Sequence, residues 1–229
     1  KRADILLTVS NYSKSRISKQ FNIQEQKILI TPNGIDESFL LLSINNKLIT
    51  NVKTKYGLDR YILYVSRIEP RKNHQLIVNA YQDLKLADKG YHLVFIGATT
   101  FENKILNSDL ERLSTDNFII LENIPTEELA GFYYHSAFSV FPSFAEGFGI
   151  PIIESTLMGR PVLFSNTTAM SDFSFIKDQM FDPYSLEELK LLINKTIKMS
   201  FENQEKKIIT VKDLYTWQKI SNNFIKLIK

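Results

Sequence analysis

The chain has 229 residues, 44% of them hydrophobic, and carries 28 Lys and Arg against 25 Asp and Glu for a net charge of +3. That is enough apolar chain for one full-sized domain or two small ones, and so even a charge balance argues against a nucleic-acid partner, which asks for basic residues gathered on one face. No cysteine occurs, which excludes disulfides, thiolate metal sites and a cysteine nucleophile.

His74, His92 and His135 lack ligand-like spacing, so no zinc site is expected. No apolar run approaches the roughly 20 residues that cross a bilayer, and the opening lacks a signal-peptide pattern. The chain begins at Lys1-Arg2 and runs at once into a strand-like segment, which points to a piece of something larger.

In chain order, short β-branched or aromatic runs predict strands over residues 5–9, 27–31, 61–65, 92–96, 118–121, 138–141 and 162–164. Helical spacing places helices at 13–21, 73–86, 103–113, 126–134, 151–158 and 186–199. Tyr61-Ile62-Leu63-Tyr64-Val65 is apolar on both faces, as a parallel strand covered by helices on each side must be. The alternation defines the expected fold as α/β, a doubly wound Rossmann-like parallel sheet. Thr31-Pro32-Asn33-Gly34 predicts a sharp turn at positive φ and a boundary beside it. Residues 35–59 then read as a polar connector with one helix, and Leu214, Trp217, Ile220, Phe224 and Leu227 predict a single amphipathic helix over 211–229.

The most informative segment runs from Phe141 through Glu146-Gly147-Phe148-Gly149-Ile150-Pro151 to Glu154, where an apolar strand ends and a helix begins. At that edge of an open parallel sheet the helix N-terminus offers free N–H groups and a partial positive charge. The two glycines admit a close ligand, and Pro151 suits the first helical turn. Glu146 precedes the loop and Glu154 is expected within the helix's first turn. Two carboxylates flanking an anion-binding loop suit a ligand with hydroxyls at both ends and phosphate between. The alternative is an ordinary loop whose acids serve only the helix dipole.

A second segment, Ser66-Arg67-Ile68-Glu69-Pro70-Arg71-Lys72-Asn73, follows the strand over 61–65 and leads into a helix. Cations disfavour a helix N-terminus unless a bound anion reverses the sign. Arg67 can hold a phosphate through two parallel N–H bonds and Lys72 can add a point charge. The competing reading pairs Arg67 with Glu69 or another local acid and leaves Arg71 and Lys72 solvated.

Together these segments resemble the retaining glycosyltransferases of family 4, the "group 1" class with a GT-B fold of two facing Rossmann-like domains. Members place two glutamates around a Gly-Phe-Gly loop as Glu146 and Glu154 stand here, and a strand followed by Arg and Lys-Asn as Arg67, Lys72 and Asn73 do. Pro142-Ser143, Gly159-Arg160-Pro161 and Asp182-Pro183 match as well. The resemblance implies that residues 1–32 are the last strand and helix of an N-terminal acceptor domain, 33–210 the donor-binding domain, the C-terminal half of a GT-B fold, and 211–229 a helix packing back toward the missing N-terminal Rossmann-like domain.

It further implies transfer of a hexose from a UDP- or GDP-linked sugar to a glycan or lipid-linked acceptor in polysaccharide biosynthesis, with retention. Arg67 and Lys72 would hold the diphosphate and Glu146 would touch the transferred sugar. Glu154 would bind the ribose, and Gly147, Phe148 and Gly149 would present backbone N–H groups. The base would lie near Gly97 and Ile124. No cofactor and no metal are implied, and no Asp-x-Asp motif occurs. The implied location is cytoplasmic, with peripheral contact at the inner membrane face left open. A nucleotide-sugar binding module or one chain of a split enzyme, and a GT-B epimerase, are the alternatives. The pattern departs from the family at Ser66 and Glu122, where glycine is common, and over 166–175, where Asp172 stands in for a glutamate.

Overall fold

The computed structural model describes residues 3–100, 104–113, 117–199 and 204–228. It opens with two parallel strands, β1 (Leu6–Thr8) and β2 (Ile28–Ile30), joined through α1 (Asn11–Phe21). Helix α1 starts where the Ser10 hydroxyl accepts from the Ser13 N–H and stops where Asn22 turns left-handed at φ 50. The strands are shorter than the predicted 5–9 and 27–31 because each has one partner in this pair, leaving their ends unladdered. The Asp172 carboxylate accepts from the Asn11 N–H at 2.7 Å, satisfying a helix-end donor and tying this unit to the rest of the chain.

The connector over 35–59 holds two helices rather than one. They are α2 (Glu37–Ile44), capped by Asp36, and α3 (Val52–Tyr56), capped by Asn51 and closed by Gly57 at φ 67. Helix α3 spans little more than one turn, too short for a 3.6-residue period to show.

The main sheet then runs β3 (Arg60–Val65), α4 (His74–Asp83), β4 (Tyr91–Ile96), α5 (Lys104–Arg112), β5 (Phe118–Leu121), α6 (Thr126–His135), β6 (Phe138–Phe141), α7 (Ile150–Leu157), β7 (Val162–Ser165), β8 (Met180–Phe181) and α8 (Leu186–Lys198). The predicted start of α5 at Asn103 lies outside the described residues. Strand β8 was not predicted, since two residues carry no period. The order is β5-β4-β3-β6-β7-β8 and every pairing is parallel. Tyr61, Ile62, Leu63 and Tyr64 of β3 are fully buried, consistent with helices on both faces. Strand order reverses between β3 and β6, and in such sheets the crevice beyond the strands' carboxyl ends at that point is where ligands bind.

Two expectations about the chain's turns are corrected. Neither Asn33 nor Gly34 has positive φ. Glycine is required at 34 for another reason: a Cβ there would overlap the indole ring of Trp217. The predicted helix over 211–229 is broken into α9 (Glu205–Tyr215) and α10 (Trp217–Ile228). At Thr216 the backbone becomes extended with ψ 141, and the Tyr215 carbonyl accepts from the Ile35 N–H at 2.8 Å. Long-range partners at 34 and 35 thus override a continuous helical period.

Candidate active site at the switch point

A cleft of about 250 Å³ opens between the carboxyl ends of β3 and β6, with Ser66, Lys72, Ser143, Glu146, Phe148 and Gly149 among its walls. Beyond β3 a single 3-10 turn, Pro70–Lys72, ends at Asn73, whose left-handed φ of 54 swings the chain into α4. The buried Tyr64 hydroxyl donates to the Lys72 carbonyl at 2.6 Å, and Asn73 Nδ2 donates to the Pro142 and Pro183 carbonyls at 3.2 and 2.9 Å. The basic loop is therefore fastened both to its own strand and to the loop after β6.

Lys72 Nζ donates to Glu146 Oε1 at 2.6 Å, and both side chains are largely buried. Arg71, to which no role was assigned from the sequence, completes the arrangement. Its guanidinium donates to Glu146 Oε2 at 3.0 Å, to the Ala145 carbonyl at 2.5 Å and to Glu69 Oε1 at 2.6 Å. The reading in which Arg71 and Lys72 are merely solvated is thereby overturned, and the pairing imagined for Arg67 with Glu69 is made by Arg71 instead. Burial pushes the Glu146 carboxyl upward, but Lys72, Ser143 and Arg71 together outweigh it and hold the group below its ordinary value. Glu146 is a fixed anion.

Arg67 is exposed at the start of the same loop, two residues after β3, and makes no side-chain hydrogen bond or ion pair among the described residues. The structure does not bring it to the Lys72–Glu146 pair. Behind the loop His74 is buried with Nε2 3.2 Å from the Ser66 hydroxyl. Burial, with Lys72 nearby, pushes its pKa down to about 3, so it is a neutral prop for the Ser66 wall.

In the Gly-Phe-Gly loop the Phe148 ring is buried against Phe173 and Tyr215, at centroid distances of 5.6 and 5.7 Å. The ring serves as an anchor, leaving the loop's backbone at the cleft. Gly147 is exposed with open space around it, and Gly149 precedes α7 at φ 123, a conformation that favours glycine. No side chain caps α7. Pro151 has no N–H and the Ile152 N–H donates to the Gly149 carbonyl at 3.0 Å, so the Ile150 N–H is the first-turn donor left for an anion.

Helix α7 begins at Ile150, so Glu154 lies beyond its first turn, contrary to expectation, and outside the cleft's lining. Its carboxylate accepts from the Tyr133 hydroxyl at 2.9 Å. Burial pushes its pKa up to about 7, the Tyr133 bond opposing and the Asp36 charge adding to the rise. Gly97, at φ 145 beyond β4, lets two loops touch, since a Cβ there would overlap the Ser66 carbonyl. Ile124 is half-buried beyond β5 and packs on the core. Glu122, the departure noted from the family pattern, pins the β4 loop by accepting from the Thr99 N–H at 2.9 Å. Gly97 and Ile124 do not border the Lys72–Glu146 cleft.

A doubly wound sheet with a basic loop, a paired glutamate and an uncapped helix at its switch point defines a Rossmann-like protein with an anion-ready cleft. The profile of the family "Glycosyl transferases group 1" matches residues 45–213, and the chain belongs to that family. It is 28% identical over 234 residues to O-antigen chain mannosyltransferase B of Escherichia coli, covering 99% of this chain and 61% of that protein. It is 29% identical over 168 residues to O-antigen chain mannosyltransferase RfbU of Salmonella typhimurium, covering 72% of this chain and 43% of that one. Among solved structures, Anabaena HepE in complex with UDP and glucose superposes with a TM-score of 0.82 at 17% identity, covering 99% of this chain and 63% of that one. That likeness establishes the shared GT-B-type α/β fold. The chain spans less than two thirds of the length of each of these relatives.

Proposed function

We propose that the chain is the donor-binding part of a retaining glycosyltransferase that moves a hexose from a UDP- or GDP-linked sugar to a glycan or lipid-linked acceptor. The observation that carries this reading is the convergence of Lys72, Glu146 and the uncapped N-terminus of α7 on one cleft at the switch point. The names of the O-antigen relatives favour mannose as the hexose and a surface polysaccharide as the product.

Transfer breaks the bond between the sugar's anomeric carbon and the diphosphate, and the electron pair leaves with the phosphate oxygen. Lys72 and the Ile150 N–H at the start of α7 supply positive potential where that charge builds, and the exposed Arg67 joins them if the donor reaches it, which stabilises the transition state more than the bound donor. Glu146 faces the transferred sugar as a carboxylate because Lys72 and Arg71 keep it ionised. The acceptor oxygen then bonds the anomeric carbon on the face the diphosphate leaves, and its proton passes to the departing phosphate oxygen. Acceptor recognition belongs to a facing domain, and no helix among the described residues is long and apolar enough to cross a membrane. The chain by itself is expected to bind donor and transfer little, since half the cleft that aligns the reactants is lacking.

The deciding experiment is a thermal-shift panel of UDP, GDP and their hexose conjugates, because a ligand that binds the folded state raises the midpoint according to its affinity. One nucleoside diphosphate and its sugar should stand out, GDP-mannose first among those to try. A flat response across the panel would remove the donor-site reading.

A further inference from the structure

We propose that Thr168 is a positioning residue for Glu146, an inference that rests on the sugar-transfer reading above. Three hydrogen bonds join the segment after β7 to the loop that carries Glu146. The Glu146 N–H donates to Thr168 Oγ1 at 2.9 Å, the Ala169 N–H donates to the Glu146 carbonyl at 3.4 Å, and Thr167 Oγ1 donates to the Phe144 carbonyl at 3.2 Å. Two consecutive residues therefore hold the backbone of Glu146 through both its donor and its acceptor.

The backbone at Thr168 is strained. Its φ is 53, in the left-handed region that a β-branched residue seldom enters, because Cβ there crowds the following carbonyl. Glycine would occupy the position without that penalty. What threonine adds over glycine is a hydroxyl, and that hydroxyl is the acceptor for Glu146. Strain of this kind persists where the surroundings over-determine the conformation and something is gained from it. The surroundings here are firm: Ala169, Met170 and Phe173 are buried, Phe173 packs on Phe148, and Asp172 is bonded to the start of α1.

The division of labour follows from the geometry. Lys72 and Arg71 grip the carboxylate of Glu146, and a bound diphosphate would draw on the same cations. The grip on its backbone by Thr168 involves no cation and survives donor binding. Thr168 thus governs where the carboxylate stands during transfer and not how tightly the nucleotide is held.

The test compares full-length Thr168→Gly, Thr168→Val and Thr168→Ser with the unaltered protein, measuring kcat, affinity for the bare nucleoside diphosphate and the thermal midpoint. Glycine and valine should each lower kcat by about tenfold to a hundredfold, the scale of a slightly misplaced reacting group, with nucleotide affinity within about twofold of the unaltered value. Serine, which keeps the hydroxyl, should retain most of kcat. Thr168→Gly should melt at or above Thr168→Val, since glycine meets no penalty at this φ; a purely structural role predicts instead that kcat tracks the midpoint. An unchanged kcat in Thr168→Gly, or nucleotide affinity falling in step with kcat, would overturn the inference alone. An unaltered full-length protein that turns over no sugar nucleotide would overturn the donor reading and this inference with it.

Discussion

Lys72 Nζ and Glu146 Oε1 meet at 2.6 Å across the switch point although 74 positions separate them in the chain. The cation and the carboxylate that it ionises come from loops after two neighbouring strands, β3 and β6, whose pairing is itself the site of strand-order reversal. A donor with a diphosphate beside a sugar meets both charges from one position.

Arg67→Ala and Lys72→Ala should each weaken UDP or GDP binding by about 1.5–3 kcal/mol, the range for hydrogen bonds to charged groups, measured by calorimetry. They should differ in one respect. Only Lys72→Ala removes a group that ionises Glu146, so only there should the Glu146 carboxyl rise in pKa under the push of burial. Wild-type affinity in Arg67→Ala would exclude this exposed arginine from the phosphate site.

Glu146→Ala in the full-length protein should reduce turnover far more than affinity for bare nucleoside diphosphate, because the carboxylate is assigned to the sugar. Steady-state kinetics beside nucleotide titration separates the two. Equal losses would move Glu146 to the phosphate.

The Glu154 carboxyl, pushed by burial from 4.5 to about 7, should make stability depend on pH. Between those values the folded chain keeps a proton that the unfolded chain has lost, so this group's contribution is full below about 4.5 and is lost as pH rises through 7. Each pKa unit is worth about 1.4 kcal/mol. Glu154→Gln should therefore flatten the stability profile between pH 4.5 and about 7 in denaturant titrations, the window set by that shift. If Glu154 binds ribose hydroxyls as a carboxylate, nucleotide affinity should rise with pH through about 7 in the wild type and not in the variant.

Gly34→Ala places a methyl into the ring of Trp217. The residue must move or the turn must yield, at a cost of about 1–3 kcal/mol, typical of overpacking. The chain has 1 tryptophan, so its fluorescence reports directly on that site. An unshifted spectrum together with an unchanged midpoint would mean that the α9–α10 corner does not depend on this contact.

Much of the architecture was legible in residue order. The strands over 61–65, 92–96 and 138–141 are continuous apolar runs, and parallel strands buried on both faces leave that signature. The two site loops were legible because glycine, proline and clustered charge at strand ends have few structural uses. What escaped was set by distant partners. Arg71 looked like one more solvated cation until Ala145 and Glu146 came within its reach, and Thr168 looked like an ordinary loop residue until its φ and its bond to Glu146 were visible. The break at Thr216 is invisible to a helical period because it answers to Ile35 and Gly34.

By itself, then, the sequence determined a doubly wound α/β domain of the group 1 glycosyl transferase family and the two segments that meet at its ligand edge, since period, turn chemistry and motif spacing are local properties. Only the tertiary structure decided which charges pair, that Glu154 lies beyond the first turn of α7 where burial pushes its carboxyl upward, and that Arg71 and Lys72 rather than Arg67 hold Glu146. Those outcomes depend on burial and on distances between residues far apart in the chain, and neither is encoded in any short stretch of it.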